Sequence, residues 1–247
     1  MTLYYLIQSQ IRKPAVERFS AAFNPVHWPN FEVVWVYTNL EKGMLSERER
    51  LVVDWYDQNA ETWAKSRKGA SEPSFWAKEY AYFKELQKSQ GRLLEIGSGS
   101  GREAIEWIQM GYEYNGVDTS SALIQIAKQT EPLGHYFHTS VYEMPFPSNT
   151  FDAFSSWAML PHVPKERIGV ALDGIQRVLK PGGIGFVAMR EGMDEKQEPG
   201  TGRWFSYYSQ LEFERILEKH RFEILFKSHK QSRPDLVWLT FFVKTLK

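Results

Sequence analysis

The chain has 247 residues, no cysteine, 30 Lys and Arg against 30 Asp and Glu, and a composition that is 43% apolar and 15% aromatic. Disulfides, zinc ribbons and thiol nucleophiles are therefore excluded, and the zero formal charge gives no global pull toward nucleic acid or an anionic membrane. Length and apolar content suit one α/β domain with an ample core, with or without a small appendage.

The first residues, MTLYYLIQSQIRK, lack the basic start, long apolar core and small-residue cleavage site of a signal peptide. The longest apolar run, LVWLTFFV at 236–243, is too short to span a bilayer, so a cytoplasmic protein without membrane partners is expected. Residues 1–45 read as a small N-terminal appendage, with strands at YYLIQSQ and FEVVWVYTN around a helix at AVERFSAAF. Residues 46–247 form the main domain.

That domain opens with a predicted helix over 46–66, where Ser46 and Glu49 have capping-box spacing, and a second over 74–88. RLLEIG (92–97) is an apolar run ending at glycine, as a buried parallel strand does. A helix follows over 102–111, stopped by Gly111, then a strand over 112–118 and a helix over 121–129. Strands are predicted at 135–141 and 151–158. The helix over 164–180 shows the clearest apolar stripe, from Ile168 to Leu179, and Gly182 and Gly183 turn the chain into a strand at 184–190. A polar loop containing GRWFSYYS (202–209) leads to a helix over 209–220, with a second capping box at Ser209 and Glu212. Two closing strands, 222–230 and 235–246, are joined by a linker short enough for an antiparallel pair. The expected fold is a Rossmann-like, doubly wound α/β sheet of seven mostly parallel strands with an antiparallel last strand.

Between the first strand and first helix lies LLEIGSGSGRE, with Gly97, Gly99 and Gly101 in five residues. Backbone this bare lets a ligand approach closely and aims helix N–H groups at it. A dinucleotide fingerprint, G-x-G-x-x-G, would put its last small residue where Arg102 stands. Glu95, two residues before the first glycine, would also lie beside a diphosphate, whereas a cationic ligand would gain from it. This disfavours a nicotinamide-dependent oxidoreductase.

The segment Glu95-Ile96-Gly97-Ser98-Gly99-Ser100-Gly101 resembles the first motif of the class I S-adenosylmethionine-dependent methyltransferases. GVDTS with Asp118, MPFPSNTFDAF (144–154) and RVLKPGGIGFVA (177–188) are similar to later segments of that family, in order and at family spacing. The resemblance implies S-adenosylmethionine as cofactor. It implies that the loop of Gly97, Ser98, Gly99 and Gly101 passes under the methionine and ribose, and that Glu95 helps place the amino acid end. Asp118, followed by Thr119, would accept from the ribose hydroxyls, although Asp118 is also placed to cap the next helix. Ser140 and Val141 fall where relatives often carry an adenine-binding acid, and Ser156 ends the fourth strand. Tyr56, on a helix like the family's N-terminal cover, would close over the cofactor. Where relatives often have Gly-Phe after the last helix, this chain has Arg221-Phe222, so a different helix end is expected.

The expected activity is methyl transfer to a small-molecule acceptor without a metal. His135 and His138 point to opposite faces of a strand and would not share an ion. His162 is the candidate base, because imidazole titrates near neutral pH, with a structural histidine that hydrogen-bonds the loop as the favoured alternative. Trp157, Arg190, Arg203, Trp204, Tyr207 and Tyr208 are the candidate acceptor contacts, with packing onto the core as the alternative for the aromatics. A tRNA wobble-uridine methyltransferase, suggested by a loose C-terminal likeness, and a protein that holds S-adenosylmethionine without turnover stay open.

Overall fold

The computed structural model describes residues 45–67, 75–87 and 90–247. The appendage predicted over 1–45 lies, apart from Leu45, outside the described residues. Helix α1 (Glu47–Arg67) begins at the expected capping box: Glu49 N–H donates to Ser46 Oγ at 3.3 Å and Ser46 N–H to Glu49 Oε2 at 2.8 Å. Helix α2 (Ala77–Leu86) follows, then β1 (Arg92–Ile96), α3 (Arg102–Gln109), β2 (Glu113–Asp118), α4 (Ser121–Thr130) and β3 (His135–His138). The second half comprises β4 (Phe151–Ser156), a 3-10 turn (Leu160–His162), α5 (Ile168–Val178), β5 (Leu179–Glu191), β6 (Glu195–Gln197), β7 (Trp204–Tyr208), α6 (Gln210–Lys219), β8 (Phe222–Arg233) and β9 (Leu236–Thr245).

The main sheet runs β3-β2-β1-β4-β5-β9-β8, with only β9 antiparallel to its neighbours. Its central strands are apolar on both sides because both faces are covered. Leu93 and Leu94, adjacent and fully buried, enter opposite layers. One layer joins Leu94, Phe154 and Val187 to α5 and α6; the other joins Leu93, Ala153 and Phe186 to α2, α3 and α4. Covering each face with helices while stacking parallel strands gathers the strand-to-helix loops at one end of the sheet, where strand C-termini meet helix N-termini.

Three expectations are corrected. Residues 202–209 are not a loop throughout, since Trp204–Tyr208 is a strand hydrogen-bonded to the end of β5 and to β6. The reason is that β5 outruns β4: their register stops at Val187, and β7 takes up the exposed edge, placing Tyr207 opposite Arg190. The third strand ends at His138 rather than 141, where the chain turns and Thr139 N–H donates to the Asp118 carbonyl at 3.0 Å. Arg221 does not avoid the left-handed helix end. It adopts φ +62°, its N–H donates to the Glu218 carbonyl at 3.0 Å, and its carbonyl accepts from Leu246 N–H at 2.8 Å. The turn is enforced because the next residue, Phe222, is fully buried and starts the β8–β9 pairing.

A left-handed L-residue costs roughly 1–2 kcal/mol, partly offset by the larger unfolded-state entropy of glycine. Arg221→Gly is therefore expected to stabilise the protein by up to about 1 kcal/mol, read as a higher urea midpoint at unchanged slope.

Candidate active site

The C-terminal ends of β1, β2, β4 and β5 open into a cleft of about 1280 Å³, walled on its far side by α1. This exceeds the ~300–1,000 Å³ of a usual single-ligand pocket and leaves room for two small molecules.

The glycine loop forms one end. Gly97 and Ser98 N–H groups donate to the Val117 carbonyl at 2.8 and 3.0 Å, pinning the loop to the end of β2. Gly99 N–H donates to Asp118 Oδ2 and Ser120 N–H to Asp118 Oδ1, both at 2.8 Å. Burial raises the Asp118 carboxyl above its usual range, and these backbone donors hold it back. Asp118 does not cap α4. Ser120 does, accepting from Leu123 N–H at 3.1 Å, while its hydroxyl donates to Asp57 Oδ1 of α1 at 2.6 Å. A Cβ added at Gly99 would meet no atom within 4 Å, so this stretch of loop faces open cleft.

Glu95 is 1% exposed, lines the cleft and accepts a hydrogen bond from Tyr114 at 2.5 Å. Burial, and then the nearby Glu103 charge, push its carboxyl well above the usual range. A cation arriving beside it would stabilise the ionised form. Thr119, Ser140 and Val141 also line the cleft, and the buried hydroxyls of Ser98 and Ser140 have no hydrogen-bond partner.

The far wall is organised around Arg203. Its Nη1 donates to Tyr56 Oη at 2.8 Å, its Nη2 to Glu198 Oε2 at 2.6 Å, and the guanidinium lies 4.1 Å from the centre of the Trp55 ring. Burial opposes the charge on Glu198, but the Thr201 hydroxyl and the Arg203 and Arg190 guanidiniums outweigh it, and the carboxyl sits below its usual range. The Tyr56 hydroxyl lies 3.2 Å from His162 Nε2, and His162 Nδ1 lies 2.8 Å from the Trp204 carbonyl. A carbonyl only accepts, so Nδ1 carries the proton and Nε2 accepts from Tyr56. Burial pushes the imidazole down to about 3. His162 is thus a neutral link in a chain, and at neutral pH it has little strength as a base.

Trp157, Arg190 and Arg203 line the cleft with Tyr56 and His162, as expected from the sequence. Five other candidates do not line it. Gly101 is the helix start, where an added Cβ would lie 3.0 Å from Ala127 Cα, so it spaces α3 against α4. Ser156 is fully buried within β4, and Tyr208 is fully buried against Phe213. Trp204 faces Arg48, whose guanidinium lies 5.4 Å from its ring centre. Tyr207 packs beside Arg190 and Lys196. Alternation along β7 sends Phe205, not its neighbours, into the cleft. Sequence reasoning missed Asp57, Trp76, Glu198 and Trp238; only Asp57, next to Tyr56, lay near a residue already singled out.

Residues 94–187 match the family described as a methyltransferase domain. Among curated relatives, the malonyl-[acyl-carrier protein] O-methyltransferase of Buchnera aphidicola is 30% identical over 37% of this chain and 36% of its own length. The ubiquinone biosynthesis O-methyltransferase of a Bradyrhizobium species is 34% identical over 39% of each chain. The chain thus matches well under half the length of these two relatives. Among solved structures, the 1,6-didemethyltoxoflavin-N1-methyltransferase of Burkholderia thailandensis, with S-adenosylhomocysteine bound, superposes with TM-score 0.62 at 16% identity, over 90% of this chain and 94% of that one. The magnesium protoporphyrin IX methyltransferase of Synechocystis, also with S-adenosylhomocysteine, gives 0.64 at 14% over 81% and 100%.

Fold and cleft define a doubly wound domain with a large cleft at its strand ends. More particularly, residues 94–187 match a methyltransferase-domain family, and in that segment and in fold the chain is similar to the class I S-adenosylmethionine-dependent methyltransferases. The cofactor of that family fits the lining: open space lies over Gly99, two unpartnered serine hydroxyls border the cleft, and the buried carboxyl of Glu95 lines it.

The His162 environment has a consequence for stability. The unfolded chain protonates this imidazole below about 6.5, whereas the folded chain resists until about 3. Stability should fall with acidity in that window, by up to ~1.4 kcal/mol per pH unit. Thermal melts of His162→Gln, compared with wild type between pH 7 and pH 4, should show a shallower decline.

Proposed function

We propose that this chain transfers a methyl group from S-adenosylmethionine to a small-molecule acceptor. The observation that carries this reading is one continuous cleft with two unlike ends, the glycine loop and Asp118 at one, arginines and indoles at the other. The toxoflavin-precursor and porphyrin methyltransferases among the structural neighbours act on compact organic molecules by name, which is compatible with such a cleft.

In this reading the backbone of Gly97, Ser98 and Gly99 lies against the cofactor's methionine and ribose parts. Asp118 keeps lone pairs for the ribose hydroxyls after accepting from Gly99 and Ser120. Ser140 and Val141 border the adenine, Glu95 faces the ammonium group, and Tyr56 of α1 covers the site. When bound, S-adenosylmethionine supplies a methyl group made electrophilic by its sulfonium. The protein's own contribution is then alignment and exclusion of water. The Arg203–Tyr56–His162 chain orients and seals; with His162 neutral and weakly basic, it suits an acceptor atom that already offers a lone pair at neutral pH.

Calorimetric titration with S-adenosylmethionine and S-adenosylhomocysteine tests the reading, beside Asp118→Ala and Gly99→Ala. Micromolar binding is expected for wild type. Asp118→Ala should weaken it about 10- to 100-fold, as loss of charge-assisted hydrogen bonds does. Gly99→Ala should fold, at a cost of about 1 kcal/mol for its left-handed backbone, yet bind at least about 10-fold more weakly because the new methyl group occupies the cradle. Well-folded wild type that binds neither compound would overturn the proposal.

A further inference from the structure

The two arginines of the far wall are not equivalent. Every nitrogen of Arg203 has an acceptor: Nη1 has Tyr56, Nη2 has Glu198, and Nε has Thr201 Oγ1 at 3.3 Å. Arg190, at the end of β5, is 8% exposed and far less well supplied. Its Nη1 donates to Tyr207 Oη at 3.2 Å, its Nη2 lies 3.6 Å from Glu198 Oε1, beyond hydrogen-bond reach, and its buried Nε has no partner. Nε and Nη2 share one edge of the guanidinium, the edge that grips a carboxylate with two parallel hydrogen bonds. Leaving buried charged donors unmatched is costly, and Arg190 lines the cleft.

The surroundings specify what would match it. The guanidinium lies 3.3 Å from the centre of the Phe205 ring and 5.8 Å from that of Trp238. Trp76 stands 5.9 Å from Trp238 and 5.3 Å from Trp157, ring centre to ring centre, and all three indoles border the cleft. Flat apolar walls favour a flat apolar body. The buried Trp157 Nε1–H has no acceptor in the wall. Charge limits the choice further. Arg190 and Arg203 face Glu198 alone among the ion pairs formed there, leaving one net positive charge, which suits a monoanion better than a doubly charged phosphate.

We propose that the acceptor is an aromatic or similarly flat carboxylate, its carboxylate gripped by the Nε–Nη2 edge of Arg190 and its body lying among Trp76, Trp157 and Trp238. This rests on the methyltransferase reading and narrows its substrate class. Arg190 binds the acceptor, and Arg203, its donors engaged, positions the wall.

The test uses the full chain saturated with S-adenosylhomocysteine, whose own binding is measured first by calorimetry. The probes are 4-hydroxybenzoate and indole-3-acetate, their uncharged amides 4-hydroxybenzamide and indole-3-acetamide, and phenyl phosphate. Wild type should bind the carboxylates at least about 10-fold more tightly than the amides. Arg190→Met should lose that preference while holding the amides and S-adenosylhomocysteine as before. Arg190→Lys, which keeps the charge without the fork, should retain part of the preference and guards against a Met variant that fails to fold. The proposal is overturned if carboxylates bind no better than amides, if phenyl phosphate binds best, if Arg190→Met keeps the preference, or if no probe binds. Should S-adenosylhomocysteine itself fail to bind, the methyltransferase reading falls, and the same titrations without it still decide whether Arg190 selects carboxylates.

Discussion

The guanidinium of Arg203 joins three parts of the chain that lie far apart in sequence: Tyr56 on α1, Glu198 after β6, and, through Tyr56, His162 after β4. A buried charge that hydrogen-bonds on three nitrogens tolerates little displacement, because each lost partner would leave a donor or acceptor stranded away from water. This network contributes geometry more than raw stability. It specifies where α1 must sit, and a cleft without α1 would lack the wall that turns a sheet edge into an enclosed chamber.

α1 is fixed a second time by the residue beside Tyr56. Asp57 accepts from the Ser120 hydroxyl at 2.6 Å and from Ala122 N–H at 3.0 Å, docking on the first turn of α4, where backbone donors and the helix dipole favour a carboxylate. Ser120 also donates its N–H to Asp118, which in turn holds Gly99. The glycine loop, β2, α4 and α1 are therefore linked through four consecutive polar contacts. Tyr56 and Asp57, adjacent in sequence, engage opposite ends of the cleft, so the cover and the loop beneath it share one frame.

The parts of this design that are local in sequence were legible there. Apolar runs marked β1, β2 and β4, both capping boxes formed as spaced, and the glycines and Asp118 meet at the strand ends, where the cleft opens. What escaped depended on distant partners. The strand at Trp204–Tyr208 exists because β5 outruns β4, a mismatch that no local pattern records. Arg190 and Arg203 look alike in sequence, and only their different supply of acceptors separates them. His162 was chemically suited to be a base, yet burial and a carbonyl on Nδ1 leave it neutral. Trp76 and Trp238 sit in stretches that read as ordinary core, and their role at the cleft follows from packing against Trp157.

The matched methyltransferase domain ends at residue 187, three positions short of Arg190. Of the side chains that wall the far end, Tyr56, Trp76, Arg190, Glu198, Arg203 and Trp238 fall outside that stretch and Trp157 and His162 within it, whereas the glycine loop, Asp118 and Ser140 fall wholly inside. One cleft is thus assembled from two territories of the chain, the segment that the family match covers and the flanks on either side of it. A cleft divided in this way can be altered at one end by substitutions in the flanks while the matched segment, with its glycine loop, stays as it is, much as interchangeable bits fit a common handle.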